Sequence, residues 1–149
     1  MRDIRRPDSL EPIVERLTSA KLTETQTPLF STIMDLLIFS AGVGRAQGRR
    51  TPVASSGRGV PYRIFENNQT EGFIFLIALS ETKDSALLVS DNDDEIARIF
   101  EEYAAGGLEI ISTWLNECPS DISGVQTLLA KLQNVVGAAV HPKVDPSPI

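Results

Sequence analysis

The sequence predicts a mainly α protein: a compact bundle of about five helices around a buried central helix, with room for one short β-hairpin. Apolar residues recur at helical spacing in several separate stretches. Another stretch, 27–50, is apolar on almost every side before it ends in arginines. A helix of that kind must be surrounded by other elements, so we expect it at the centre of the bundle.

The length and composition are typical of one globular domain. The chain has 149 residues, of which 42% are hydrophobic and 23% are charged. We expect a basic N-terminal arm at 1–8, a single helical domain at 9–137 and a disordered, proline-rich tail at 138–149. Cys118 is the only cysteine, which excludes an intramolecular disulfide and favours a reducing, cytoplasmic setting. The longest apolar run, 73–79, is too short to span a membrane.

The first helix is predicted at about 9–20. Asp8 and Ser9 are good N-terminal caps, and apolar residues then follow at helical spacing. The preceding segment, Arg5 to Pro7, is interpreted as an extended, solvated arm.

The central helix is predicted to begin at Thr27, because a threonine cap followed by Pro28 is a strong start signal. Gly42 and Gly44 either weaken this helix or allow close contact with a neighbouring backbone. Gly48 is the predicted C-terminal stop.

Two segments after the central helix are ambiguous. In the irregular stretch 49–61, residues 51–53 are predicted to pair with residues 62–65 as the short hairpin. Periodicity cannot assign residues 73–79 to a buried helix or a buried strand. We favour a buried helix, because the sequence offers few other strands to complete a sheet.

The clearest amphipathic helix is predicted at 92–117, with acidic residues in its first turn. Gly106 and Gly107 lie in its middle, where they either kink the helix or let another helix pack closely. A short extended connection, 87–89, precedes it. A last helix is predicted at about 121–136.

The best functional signal is an arginine-rich segment. Residues 1–63 carry a net charge of +4 and residues 64–149 carry −10. Arginine side chains suit phosphate oxygens, so the segment is predicted to contact nucleic acid. Alternatively, it pairs with the acidic half of the same chain. The candidate nucleic-acid contacts are Arg45, Arg49, Arg50, Arg58 and Arg63. The candidate partner contacts in the acidic half are Glu101, Glu102 and Glu109.

Catalytic signals are weak. The glycines of residues 42–48 follow a helix, whereas those of a phosphate-binding loop precede one. The lysine of such a loop is also absent from this segment. The only histidine, His141, lies in the predicted tail, and Cys118 is interpreted as structural. We therefore predict no catalytic residue, no metal site and no cofactor. A metal-dependent nickase using Asp91, Asp93, Asp94 or Glu109 is the least favoured hypothesis.

Four stretches together resemble a known family. They are Arg5-Arg6-Pro7, residues 35–52 around DLLIFSAGVG and GRRTP, LIALSET at 76–82 and IFEEYAAGGLEII at 99–111. In this order and spacing they resemble the small bacterial proteins known as DNA phosphorothioation (Dnd) system-associated protein 4. The resemblance implies a role in a phosphorothioate-linked modification and restriction system, and hence in phage defence. It implies no catalytic residues.

The sequence thus favours a non-enzymatic accessory or regulatory protein that contacts DNA through its arginines and a partner subunit through its acidic half. The alternative is a pure protein-interaction or oligomerisation module without DNA contact. The partners considered are DNA, other subunits of such a system and a second copy of the chain, but no membrane.

Overall fold

The computed structural model describes residues 1–18, 28–82 and 92–140, without the side chains of 135–140. Within these ranges six α-helices and one two-stranded sheet confirm the predicted mainly α bundle. The strands are β1 (Ile4–Arg6) and β2 (Arg58–Val60), and a 3-10 helix (Asp8–Leu10) follows β1. The helices are α1 (Glu11–Thr18), α2 (Ile33–Gln47), α3 (Tyr62–Asn67), α4 (Glu71–Thr82), α5 (Asp93–Glu117) and α6 (Val125–Val140).

The helix at the centre of the bundle is α5, whereas the sequence predicted α2 there. α5 packs along α2 and also contacts α4, α6 and β1. Its middle crosses α2 with the two backbones in contact. A Cβ atom built on Gly107 would overlap with the carbonyl oxygen of Ser40, and one built on Gly44 would overlap with that of Tyr103. Of the two predicted roles for the glycine pair, close helix packing is the one that the structure shows.

The predicted start of α2 is wrong. The helix begins at Ile33, with Thr32 as the cap: its side chain accepts a hydrogen bond of 3.0 Å from the backbone N–H of Asp35. Pro28 precedes the helix, and Phe30 donates its backbone N–H to the Leu17 carbonyl at 3.0 Å. Thr27 lies outside the described residues. The predicted stop is confirmed, since Gly48 caps α2 with φ of 68°.

The predicted hairpin is also wrong. β1 pairs antiparallel with β2, with Ile4 opposite Val60 and Arg6 opposite Arg58. The segment predicted as the second hairpin strand is α3. β1 lies against α5 with the side chains of Ile4 and Arg6 buried, so this part of the arm is not solvated. A strand pair formed by segments this far apart leaves no local turn signal.

Helix α4 resolves the ambiguity at residues 73–79 in favour of a helix. The expectation that this helix is buried is only half right. Ile74 and Ala78 face the core, whereas Phe73 is 48% exposed and Leu76 is 60% exposed. The rest of the described chain therefore leaves an apolar face of α4 uncovered.

The remaining helices keep their predicted identity with shifted ends. α1 begins after the 3-10 helix, and α5 starts within a residue of the prediction. α6 starts at Val125, later than predicted, because Gly124 adopts φ of 81° and Asp121 accepts the Thr127 N–H at 2.8 Å. Residues 138–140, the start of the predicted disordered tail, belong to α6. The rest of that tail, 141–149, and the predicted connection at 87–89 lie outside the described residues.

Candidate functional site

The part of the arginine-rich segment that directly follows α2, residues 49–51, packs across the middle of α5. After the left-handed turn at Gly48, Arg49 donates its backbone N–H to the Gly44 carbonyl at 2.9 Å. The Thr51 N–H then reaches the Glu102 carbonyl at 3.0 Å. Gly106 makes this path possible, because a Cβ there would overlap with the Arg49 carbonyl oxygen. The backbone at 49–51 is therefore held by hydrogen bonds to both α2 and α5.

Arg50 is held by acidic residues of its own chain. Its Nε donates to Glu102 Oε1 at 2.8 Å, and its Nη1 lies 3.5 Å from Glu81 Oε1. Its guanidinium carbon also lies 5.7 Å from the centre of the Tyr103 ring, a cation–π distance. With its side chain 26% exposed, Arg50 is a fixed part of the packed structure.

Arg45 has no acidic partner among the described residues, yet it is also held. Its Nε donates to Ser80 Oγ at 3.0 Å and its Nη2 to the Ser80 carbonyl at 2.8 Å. That carbonyl belongs to the last turn of α4, where helices leave backbone oxygens unpaired and favour positive charge. Arg45 therefore caps α4, and its guanidinium also lies 5.9 Å from the Tyr103 ring.

Tyr103 joins these two arginines to Glu81. Its hydroxyl donates a hydrogen bond to a Glu81 carboxylate oxygen. Burial raises the pKa of Tyr103, and the hydrogen bond and negative charge of Glu81 raise it further. The phenol therefore stays protonated at neutral pH and keeps donating. We call Arg45, Arg50, Glu81, Glu102 and Tyr103 the arginine–tyrosine cluster.

The other predicted nucleic-acid contacts are more exposed. Arg49 pairs with Glu109 at the surface, and its side chain is 49% exposed. Arg58 is 65% exposed and lies 3.6 Å from Glu11, a carboxylate that Arg6 already binds through two hydrogen bonds. Those bonds from Arg6 lower the pKa of Glu11. Arg63 is exposed on α3, and none of the described acidic residues forms an ion pair with it.

The structure thus brings only part of the predicted arginine set together. Arg45 and Arg50 both lie near the Tyr103 ring, and Arg49 is the chain neighbour of Arg50. Arg58 lies on β2 and Arg63 on α3. Arg49 and Arg50 pair with glutamates of the acidic half of the chain, as the second interpretation of the sequence proposed, whereas the described ion pair of Arg58 is with Glu11 in the basic half.

The three predicted partner contacts are all engaged within the chain. Glu101 is 2% exposed and accepts hydrogen bonds of 2.9 Å from both Arg2 Nη atoms and from the Arg5 N–H. Glu102 and Glu109 bind the arginines described above. Glu101 is therefore an interior residue that joins α5 to β1, and no side-chain surface of it is available to a partner.

An apolar groove is lined by side chains of α2 and α4, with Trp114 of α5 and Leu132 of α6. It has a volume of about 390 Å³, and the open α4 side chains Phe73 and Leu76 form one wall. A second hollow of about 160 Å³ shares Phe39 and Leu132 with it. The floor and the remaining walls are Ile38, Phe39, Gly42, Val43, Ala46, Gln47, Ile77, Trp114 and Leu132. Sequence analysis missed this groove, although an α4 that is apolar on all sides was a signal for it.

The first two acidic residues of α5 form ion pairs with the N-terminal segment of the same chain. Asp93 lies 4.0 Å from the N-terminal amine, and Asp94 lies 3.6 Å from Arg2. In the part of the chain that the structure describes, no three or more His, Cys, Asp or Glu residues are grouped as metal ligands would be. Asp91 and His141 lie outside that part, and Cys118 is exposed. None of the described helices is long and apolar enough to cross a membrane.

The fold and these surfaces define a small helical protein with an internally neutralised arginine cluster and an open apolar groove. The chain belongs to the family described as DNA sulphur modification system-associated protein 4, whose model matches residues 3–137. The match confirms the resemblance seen in the sequence and extends it over most of α6. No curated protein and no solved structure matched the chain.

Proposed function

We propose that this protein is a non-enzymatic accessory subunit that binds another protein of a DNA sulphur modification system through the apolar groove. The open groove is the observation that carries the proposal. The family description supports it, because association with a system implies work beside other components. The acidic residues first considered for partner binding are engaged internally, and this favours the groove as the contact surface.

The groove has the physical character of a protein-binding surface. Monomeric proteins rarely expose large contiguous apolar patches without a function. Leu76 is 60% exposed, so burial of its remaining surface would stabilise a complex by about 1–2 kcal/mol. The residues that line the groove carry no charge. When a partner fills the groove, no charged group of this protein has to be desolvated.

A Leu76→Glu variant is expected to abolish assembly with the partner while the protein stays folded. Leu76 is 60% exposed, so the new carboxylate is hydrated in the free protein. In the complex the carboxylate would be buried with no opposite charge to pair with. The measurement is the molar mass, by size exclusion with light scattering, of the protein co-expressed with the other proteins of its modification system.

Ile122→Glu is the matched control. Ile122 is 65% exposed and does not line the groove, so this variant should assemble like the wild type. A Leu76→Glu protein that still forms the wild-type complex would show that the groove is not the contact surface.

A second candidate function is contact with DNA phosphates through the exposed arginines Arg49, Arg58 and Arg63. The observation that favours it is the exposure of these three side chains, in contrast to the fixed Arg45 and Arg50. The original set of five arginines is thereby narrowed to three. Planar guanidinium groups at a surface suit phosphate oxygens.

The salt dependence of duplex binding tests this second candidate. Each phosphate contact contributes a slope of about −0.9 to the log–log dependence of affinity on salt. An Arg58→Ala/Arg63→Ala variant is therefore expected to lose about 1.8 of the wild-type slope. Arg98→Ala, which removes an exposed arginine paired with Glu95, is the control and should keep the slope. Wild-type binding that does not respond to salt would contradict the candidate.

A further inference from the structure

Arg49 and Arg50 are adjacent in sequence but are held in different ways. Arg50 is fixed by Glu102, by Glu81 and by the Tyr103 ring. Among the described residues Arg49 has a single acidic partner, Glu109, and the Arg49 side chain is 49% exposed. One arginine is thus part of the packed structure, and the other is tied down at the surface by one carboxylate.

We propose that the Glu109 carboxylate stands in for a nucleic-acid phosphate on Arg49, so that this ion pair is an autoinhibitory contact that DNA displaces. This inference rests on the second proposed function, contact with DNA phosphates. A carboxylate and a phosphate both accept from the guanidinium fork, and they compete for the same N–H groups.

The exchange needs no rearrangement of the fold. The Arg49 backbone is anchored by its hydrogen bond to the Gly44 carbonyl and by its contact with Gly106. The side chain can therefore turn from Glu109 to a phosphate while the main chain stays in place. Because the Arg49 side chain is half exposed, the pair is expected to contribute about 1 kcal/mol or less, so its loss leaves the protein folded.

The Glu109 carboxylate opposes DNA in two ways. It occupies Arg49, and its negative charge repels a phosphate that approaches the same surface. In the wild type the pair is electrically neutral, so Arg49 adds little to the salt dependence of binding. Without the carboxylate, Arg49 should contribute one full phosphate contact.

The test is fluorescence anisotropy of a labelled DNA duplex titrated with four proteins at several salt concentrations. They are the wild type, Glu109→Gln, Glu109→Gln/Arg49→Ala and Glu95→Gln. The last is the matched control, because it removes the same charge from an exposed pair with Arg98 elsewhere on α5. Glu109→Gln is expected to bind about fivefold more tightly at low salt, with a slope steeper by about 0.9. The Arg49 replacement should cancel both gains.

The outcomes separate the two ideas. If the wild type binds DNA and Glu109→Gln gains no more than Glu95→Gln, the autoinhibitory contact is wrong and the phosphate contact stands. A gain that survives the Arg49→Ala replacement also overturns it, because the effect would then be a general loss of negative charge. If no variant binds DNA even at low salt, the second proposed function is itself wrong.

Discussion

Gly107→Ala is expected to destabilise the protein by more than about 3 kcal/mol, at or beyond the upper end of the usual range for overpacking. The new methyl group would occupy the position of the Ser40 carbonyl oxygen on α2. Backbone atoms in two packed helices cannot turn aside as a flexible side chain can, so α2 and α5 must separate. Their contact is the main packing surface of the bundle, and most natural domains have only 5–15 kcal/mol of stability to lose.

Gly42→Ala is the matched control for that experiment. Gly42 lies in α2, two residues before Gly44, which packs against α5 at the crossing. A Cβ atom on Gly42 would meet no atom within 4 Å. The replacement should stabilise the protein by up to about 1 kcal/mol through helix propensity alone. The measurement is equilibrium unfolding in urea followed by circular dichroism. A Gly107→Ala protein within about 1 kcal/mol of the wild type would contradict the close crossing.

Glu101→Ala is expected to destabilise the protein by about 3 kcal/mol, the lower end of the range for breaking a buried ion pair. The lower end applies because the Arg2 side chain keeps 22% of its exposure and can recover some hydration. The carboxylate binds both Arg2 Nη atoms and the Arg5 N–H, and its hydrogen bond raises the pKa of Arg2. Its removal leaves the outer edge of β1 without its partner.

Glu95→Ala is the control, because it removes a carboxylate from the same helix but from a surface pair with Arg98. Such pairs contribute about 0–1 kcal/mol. Thermal and urea unfolding of both variants would compare them directly. Equal losses of stability in the two variants would show that Glu101 does not hold β1 against α5.

Patterns that are local in sequence predicted the correct elements. The apolar spacing and acidic first turn of α5 describe that helix over its whole length, because helical contacts join residues three and four apart. Gly48 was recognisable as a stop because a left-handed cap strongly favours glycine. The predicted start of α2 was wrong. Thr27-Pro28 and Thr32 both have residue types that favour a helix start, and local sequence does not choose between them.

The pairing of the arginine and glutamate side chains depends on tertiary structure. Composition showed a basic half and an acidic half, but only the crossing of α2 over α5 brings Arg50 to Glu102 and Arg49 to Glu109. Arg58 lies on β2 and Arg63 on α3, outside the arginine–tyrosine cluster.

By itself, the sequence determined the helical class, most of the helices and the family, because each depends on residue order along the chain. Only the tertiary structure decided that β1 pairs with β2, that Glu101 is interior and that one face of α4 stays open. Those features depend on contacts between segments far apart in sequence, and such contacts leave no periodic signal in either segment.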